Sequence, residues 1–362
     1  MPSPIARLTE FGQSPWYDNL TRDVARGGLR TLMEHDGIRG ITSNPTIFEK
    51  AMGAGTAYDE QLAQCARAGL DATDTYWELV TTDIAGAADL LLPVYEESGG
   101  TDGFVSVEVD PDLAHDTDAT VTQARELFDR LGRPNVMIKI PATLAGLPAI
   151  TATIAAGINV NVTLIFSLAR HAAVIDAYLD GLERRIADGA DVARIASVAS
   201  FFVSRVDTET DRRLPDGHPL RGRAAVANAK LAYRLFRERF SGPRWEALAA
   251  TGAQLQRPLW ASTSTKNPEY SPTLYVDELI GRDTVNTLAQ ASIDALQEHD
   301  GLRADTVTDD VAGAEAVMRG LADAGVDFDD VTATLEREGV ASFSGSFHDA
   351  LATLEKKARE VS

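Results

Sequence analysis

Short apolar runs alternate along this chain with longer stretches in which apolar residues recur at helical spacing. The short runs fall near Trp16–Leu20, Gly40–Thr42, Val105–Val109, Val136–Ile140, Val160–Phe166, Ile195–Phe202, Pro258–Thr263 and Thr284–Leu288. Their nearly continuous apolar character predicts strands buried on both faces, as in a parallel sheet. The patterns Val121–Leu131, Leu168–Ala187, Ala224–Phe240 and Leu274–Ile280 predict helices that return the chain across the sheet. Eight such strands in βα alternation predict an α/β fold, a closed (β/α)8 barrel of the TIM type. Residues 58–98 hold two helical patterns, Tyr58–Ala68 and Thr73–Glu97, and are expected to form an inserted helical pair. Residues 331–362 hold two more, Val331–Glu338 and Ser346–Ala358, expected to flank or cap the barrel. No Pro-, Gly- or Ser-rich linker separates them from the last strand, so residues 1–362 are read as one barrel domain.

The length of 362 residues suits one such barrel with extra helices. A net charge of −20, from 54 acidic and 34 basic residues, repels nucleic acid and anionic membrane surfaces, so neither is an expected partner. A phosphorylated substrate would then need a local cationic pocket. Cys65 is the single cysteine; it excludes an internal disulfide and a thiolate metal cluster, and it sits in a helical pattern as a packing residue. No apolar stretch approaches the roughly 18 residues of a membrane span, and the first residues lack the apolar core of a secretory signal. The expected location is the cytoplasm.

The candidate chemistry begins with Lys139, which interrupts the apolar run Val136-Met137-Ile138-Lys139-Ile140-Pro141. Burial disfavours an ammonium, and an unprotonated amine is the nucleophile that forms Schiff bases with carbonyl compounds. In a barrel of this kind active sites form at the C-terminal ends of the strands, and those ends are polar here: Asp18 and Asn19; Thr42, Ser43 and Asn44; Glu108; Asn159, Asn161 and Thr163; Ser200 and Arg205; Ser262, Ser264 and Lys266. A buried lysine among carboxylates and amides suggests class I aldolase chemistry, in which the iminium becomes an electron sink. Asp18 is the candidate base for the hydroxyl beside the cleaved bond, and Glu108 with Thr163 could shuttle protons through a water. Asn44 and Asn161 can fix hydroxyls without adding charge, while Arg205 and Lys266 could hold a phosphate.

Plainer readings accompany several of these residues. Thr42-Ser43-Asn44-Pro45 is also a turn and helix-cap sequence, and Asp110-Pro111 reads as a cap and first helical residue, so Asp110 is left out of the site. Arg205 could pair with Asp207, Glu209 or Asp211 at the surface. Phe343 and Phe347 could cover the site or simply pack. The six histidines lack metal-ligand spacing, and neither a metal nor a cofactor is expected.

Three segments together, Gly40-Ile41-Thr42-Ser43-Asn44-Pro45-Thr46, Val136–Ala142 with its Lys139, and Gly157-Ile158-Asn159-Val160-Asn161-Val162-Thr163, resemble transaldolase. The likeness extends to Val107–Pro111, Ser200–Arg205 and Trp260–Pro268. It implies a barrel circularly permuted relative to other class I aldolases, which accounts for a lysine on the fourth strand. The implied reaction belongs to the non-oxidative pentose phosphate pathway: transfer of a dihydroxyacetone unit from sedoheptulose 7-phosphate to glyceraldehyde 3-phosphate, giving erythrose 4-phosphate and fructose 6-phosphate. Carried over residue by residue, Lys139 is the Schiff-base lysine, Asp18 the acid/base at the cleaved bond, and Glu108 with Thr163 the pair around the catalytic water. Asn44 and Asn161 hold donor hydroxyls, and Ser200 and Arg205 match the family's serine and phosphate-binding arginine. One departure is Ser264, where many transaldolases carry a second phosphate arginine. The longer actinobacterial-type members share the Ser-Thr-Lys-Asn-Pro arrangement, so Lys266 is expected to supply that charge. The expected partners are sugar phosphates and the assembly a monomer or homodimer. Two alternatives stay open, a fructose 6-phosphate aldolase-like enzyme and a non-catalytic sugar-phosphate-binding barrel; Glu108 favours transfer over free aldol cleavage.

Overall fold

The apolar runs form strands β1 (Gln13–Tyr17), β2 (Gly40–Thr42), β3 (Val105–Glu108), β4 (Val136–Pro141), β5 (Val160–Ile165), β6 (Ser197–Phe202), β7 (Gln256–Ala261) and β8 (Thr284–Leu288). In the computed structural model, which describes residues 3–361, they pair in parallel and in chain order as a closed barrel. Residues 1, 2 and 362, the ends of the expected barrel unit, lie outside the described residues. Closure runs through β1 and β8, in register from Gln13 beside Thr284 to Tyr17 beside Leu288. Every residue of β2 to β6 and of β8 is buried, because helices cover the outer face and side chains fill the interior. Local chemistry sets the helix starts. Asp71, Asp116 and Ser167 cap the helices Ala72–Glu97, Thr117–Leu131 and Leu168–Ala187 by accepting from backbone N–H groups.

The N-terminal end of the barrel is tied together by Asp102. Its carboxylate accepts from Ser14 Oγ at 2.6 Å, from the Trp16 indole at 2.9 Å and from Arg39 Nε at 3.0 Å, with Arg257 of β7 at 3.6 Å. Gly40 lies against the Trp16 ring so closely that a Cβ would sit 2.5 Å from it. Only glycine lets β2 pass there.

Four expectations are corrected. Strand β1 begins at Gln13 and ends at Tyr17 rather than spanning Trp16–Leu20: Gln13 and Ser14 look like loop residues but are buried and hydrogen-bonded to Thr284, Leu279 O and Asp102. Strand β7 stops at Ala261 because Ser262 takes a left-handed backbone conformation, φ 57°. Of the expected inserted pair, Ala72–Glu97 packs on β3 and on Thr117–Leu131 and so belongs to the ring of helices; Asp59–Arg67 lies outside it. The two expected C-terminal helices are one 34-residue helix, Phe328–Val361. Gly339, which reads as a break, sits inside it where a Cβ would be 2.8 Å from Leu164. Among the described residues no helix is long and apolar enough to cross a membrane.

Candidate active site

At the C-terminal ends of the strands a cavity of about 530 Å³ opens, and Lys139 is in its wall. On β4, Ile138 and Ile140 are fully buried while Lys139 points into the barrel, as period-two alternation requires. Its residue exposure is 5 %. The Nζ donates to Ser43 O at 3.2 Å and lies 3.4 Å from Glu108 Oε2. Glu108 is the register partner of Lys139 on β3, so strand pairing alone sets the two side by side. Burial pushes the Glu108 carboxyl above the usual range; Lys139 opposes that shift, Asp18 adds to it, and Arg205 opposes it.

Asp18 follows β1 and lines the cavity, where Thr42 Oγ1 donates to its Oδ1 at 2.7 Å and so fixes the carboxylate's orientation. Asn44 also lines it, and its Oδ1 accepts from Ile47 N at 3.0 Å as the cap of the helix Pro45–Gly53. The cap reading of Asn44 therefore holds, and the same residue lines the cavity. Thr163 and Ser200 line the cavity from β5 and β6. Thr163 Oγ1 and Glu108 Oε2 are buried without a hydrogen-bond partner among the described residues. Polar atoms so placed are fit to hold a water or a substrate oxygen. Leu164, next in sequence, has φ 59°, and the β5–β6 register shifts between Val162 and Ile165. This bulge turns the strand end at the point where Thr163 meets the cavity.

Arg205 opens the helix Ser204–Arg213 and lines the cavity, with its guanidinium 5.3 Å from the Phe202 ring centroid. Its acidic sequence neighbours are engaged elsewhere: Asp207 by Tyr275 and Ala225 N, Glu209 by Arg212 and Arg213, Asp211 by Tyr270 and Gly222 N. The surface ion pair is thus not formed. Burial lowers the Arg205 pKa, while Asp18, Glu108 and Glu338 oppose the shift.

Glu108, Asn161, Ser264 and Lys266 are not in the cavity wall; Glu108 stands behind it, against Lys139. Asn161 is fully buried, its amide donating to Ser106 Oγ at 3.0 Å and accepting from Ser200 Oγ at 2.7 Å. Ser264 and Lys266 follow the backbone turn at Ser262, which removes them from the strand's alternation and puts Ser262 in the wall instead. Lys266 donates to Ser264 Oγ at 2.8 Å. Although the residue as a whole is exposed, desolvation of its ammonium and then repulsion from Arg205 lower its pKa, against the attraction of Asp18. It therefore stands within electrostatic reach of both.

Sequence reasoning missed Lys50, Thr287 and Ser342 in the wall, and gave no role to Ser262, which it named among the strand-end residues. Thr287 was findable from its place at the end of β8, whereas Lys50 and Ser342 come from helices that carry no strand-end signal. Phe343 lines the cavity and is buried, its ring centroid 5.7 Å from Lys139 Nζ, while Phe347 packs on Tyr76 and Trp77. Asp110 caps the short turn Pro111–Leu113, as read from the sequence. Among the described residues no three His, Cys, Asp or Glu side chains converge as a metal-binding group.

The geometry joins a buried amine, an oriented carboxylate and a cation in one cavity, with a second, buried carboxyl against the amine behind the wall. Comparison with known proteins agrees in kind. Residues 15–354 match the family described as Transaldolase/Fructose-6-phosphate aldolase. A transaldolase of Acidothermus cellulolyticus is 51 % identical over 96 % of this chain and 94 % of its own length. Transaldolase 1 of Streptomyces avermitilis is 51 % identical over 94 % and 91 %. A transaldolase of Mycolicibacterium paratuberculosis is 50 % identical over 99 % and 98 %. With the match running through all eight strands, the chain belongs to the transaldolase/fructose-6-phosphate aldolase family.

Proposed function

We propose that the protein is a transaldolase that moves a dihydroxyacetone unit from sedoheptulose 7-phosphate to glyceraldehyde 3-phosphate, yielding erythrose 4-phosphate and fructose 6-phosphate. The observation that carries this reading is Lys139: a buried amine beside Glu108, opening on a cavity of sugar-phosphate size. Lys139 attacks the ketose C2, and loss of water leaves an iminium. Asp18, oriented by Thr42, takes the proton of the C4 hydroxyl, the C3–C4 bond breaks toward the iminium, and the aldose phosphate leaves. The enamine then attacks the acceptor aldehyde, and hydrolysis frees the new ketose. Glu108, whose pKa burial raises, and Thr163 handle the water of imine formation and hydrolysis. Asn44 and Ser200 hold donor hydroxyls, with Asn161 acting through its hydrogen bond to Ser200. Arg205 takes the phosphate, and Lys266, on its exposed loop with Ser264, adds the second charge. The reading carries with it a cytoplasmic location and a monomeric or homodimeric state.

Borohydride reduction in the presence of fructose 6-phosphate, followed by peptide mass mapping, tests it. A dihydroxyacetone adduct on Lys139 is expected, and Lys139→Ala should abolish both adduct and turnover; an adduct on another lysine sinks the mechanism. Asp18→Ala should slow carbon–carbon cleavage while an intact donor ketose is still trapped on Lys139. If trapping disappears with cleavage, the division of roles is wrong. Turnover that needs an aldose acceptor marks transfer; equal turnover without one marks an aldolase.

A further inference from the structure

We infer that Phe343 is a specificity-determining residue that commits the Lys139-bound three-carbon unit to an aldehyde acceptor by keeping water from it, an inference that rests on the Schiff-base reading above. Phe343 is 4 % exposed, and its ring centroid stands 5.7 Å from the Lys139 Nζ. The cavity wall on that side comes from the C-terminal helix and not from a strand. A ring face at that range attracts an ammonium or an iminium and presents no group that could hold a water.

The helix is tied down on both sides of the ring. Ser346 Oγ shares a hydrogen bond of 2.8 Å with Thr46 Oγ1, two residues beyond the cavity residue Asn44. Ser344 and His348 both bond the Asp112 carboxylate, at 2.5 and 2.7 Å. Phe347, one turn on from Phe343, is engaged by the rings of Tyr76 and Trp77. Phe343 is thereby held toward the cavity by its neighbours, while its own ring meets the nucleophile.

The chemistry makes that position matter. After the C3–C4 bond breaks, the enamine on Lys139 has two fates. It can attack an aldehyde carbon through C3, forming a C–C bond whose alkoxide takes a proton. Alternatively C3 takes a proton, a water oxygen adds to C2, the C2–Nζ bond breaks, and free dihydroxyacetone leaves with the proton returned to the amine. Both routes end in hydrolysis at C2 by the water that Glu108 and Thr163 handle; what the second route needs beforehand is a proton donor at C3, and an apolar ring on the Phe343 side of the Lys139-bound unit excludes water from that approach.

The test measures the ratio of free dihydroxyacetone to transferred product, by proton NMR, with fructose 6-phosphate as donor and erythrose 4-phosphate as acceptor. Phe343→Ala should raise that ratio about tenfold, the effect of losing one well-placed desolvated ring face. Phe343→Leu should fall between it and the native protein, and decides the matter if the alanine variant does not fold. Phe347→Ala, on the same helix but away from Lys139, should weaken folding and leave the ratio near native. A native ratio in a folded Phe343 variant overturns the proposal, as does an equal rise in Phe347→Ala. If the native protein gives no borohydride adduct on Lys139, the Schiff-base reading has failed instead.

Discussion

The Lys139–Glu108 contact is a buried charge pair whose partners have little else to satisfy them: the ammonium has Ser43 O, and Glu108 Oε2 accepts no hydrogen bond among the described residues. Such a pair contributes poorly to stability and is kept for chemistry. His171 is the contrasting case. It is fully buried beside Phe201, 5.5 Å between ring centroids, with both ring nitrogens unpartnered among the described residues, and desolvation pulls its pKa down to about 4. Because its folded pKa lies below the unfolded value, the unfolded chain binds a proton that the native state refuses. Stability is therefore complete above about pH 6.5 and lost as pH falls toward 4. Between pH 7 and 5 the native protein should lose about 2 kcal/mol more than His171→Leu in denaturant titrations. Equal pH dependence of the two would show that the imidazole is protonated in the folded state.

At the level of elements, the bulge at Leu164 and the docking of the C-terminal helix are one feature. Leu164 leaves the strand path with φ 59°, and its side chain fills the space over Gly339. Gly339→Leu should lower stability by roughly 1–3 kcal/mol through overpacking, more than the ~1 kcal/mol of helix propensity it regains. Gly345, on the same helix with nothing within 4 Å of a built Cβ, should behave oppositely: Gly345→Ala should gain up to about 1 kcal/mol. Midpoints of denaturant unfolding decide both, and a loss at Gly345 would mean that its surroundings are not open. These two glycines are also why the sequence reads as two helices where there is one, since nothing in a single chain distinguishes a glycine that breaks a helix from one that admits a neighbour. The strands were legible because parallel pairing buries both faces, and all eight appear; the misjudged β1 and β7 ends are those where polar residues are satisfied by partners far along the chain or where one left-handed residue stops the ladder. Lys139, Asp18, Asn44, Thr163, Ser200 and Arg205 were legible as strand-end polar residues that share the cavity. Ser264 and Lys266 were drawn in by extending β7 through Ser262, and the helix-borne residues were hidden because alternation says nothing about elements that pack across the barrel mouth.

Across the whole molecule the two ends of the barrel divide the work. Asp102 joins Ser14, Trp16, Arg39 and Arg257 at the N-terminal end, while the cavity lies at the other. Asp102→Ala should cost about 3–5 kcal/mol by leaving buried donors unpaired, yet leave kcat/KM within about twofold, because in this architecture one end serves stability and the other chemistry. A loss of activity as large as the loss of stability would show that the ends are coupled through the barrel interior. The same separation runs along the chain in time. All eight strands precede the helix that carries Phe343, and some 55 residues separate Leu288 from Phe343. At about 5–20 residues per second of synthesis, that interval is about 3–11 s. Every strand of the barrel, and Lys139 with them, is thus made seconds before the ring that covers the amine, so that in the order of translation the nucleophile comes before its aromatic cover.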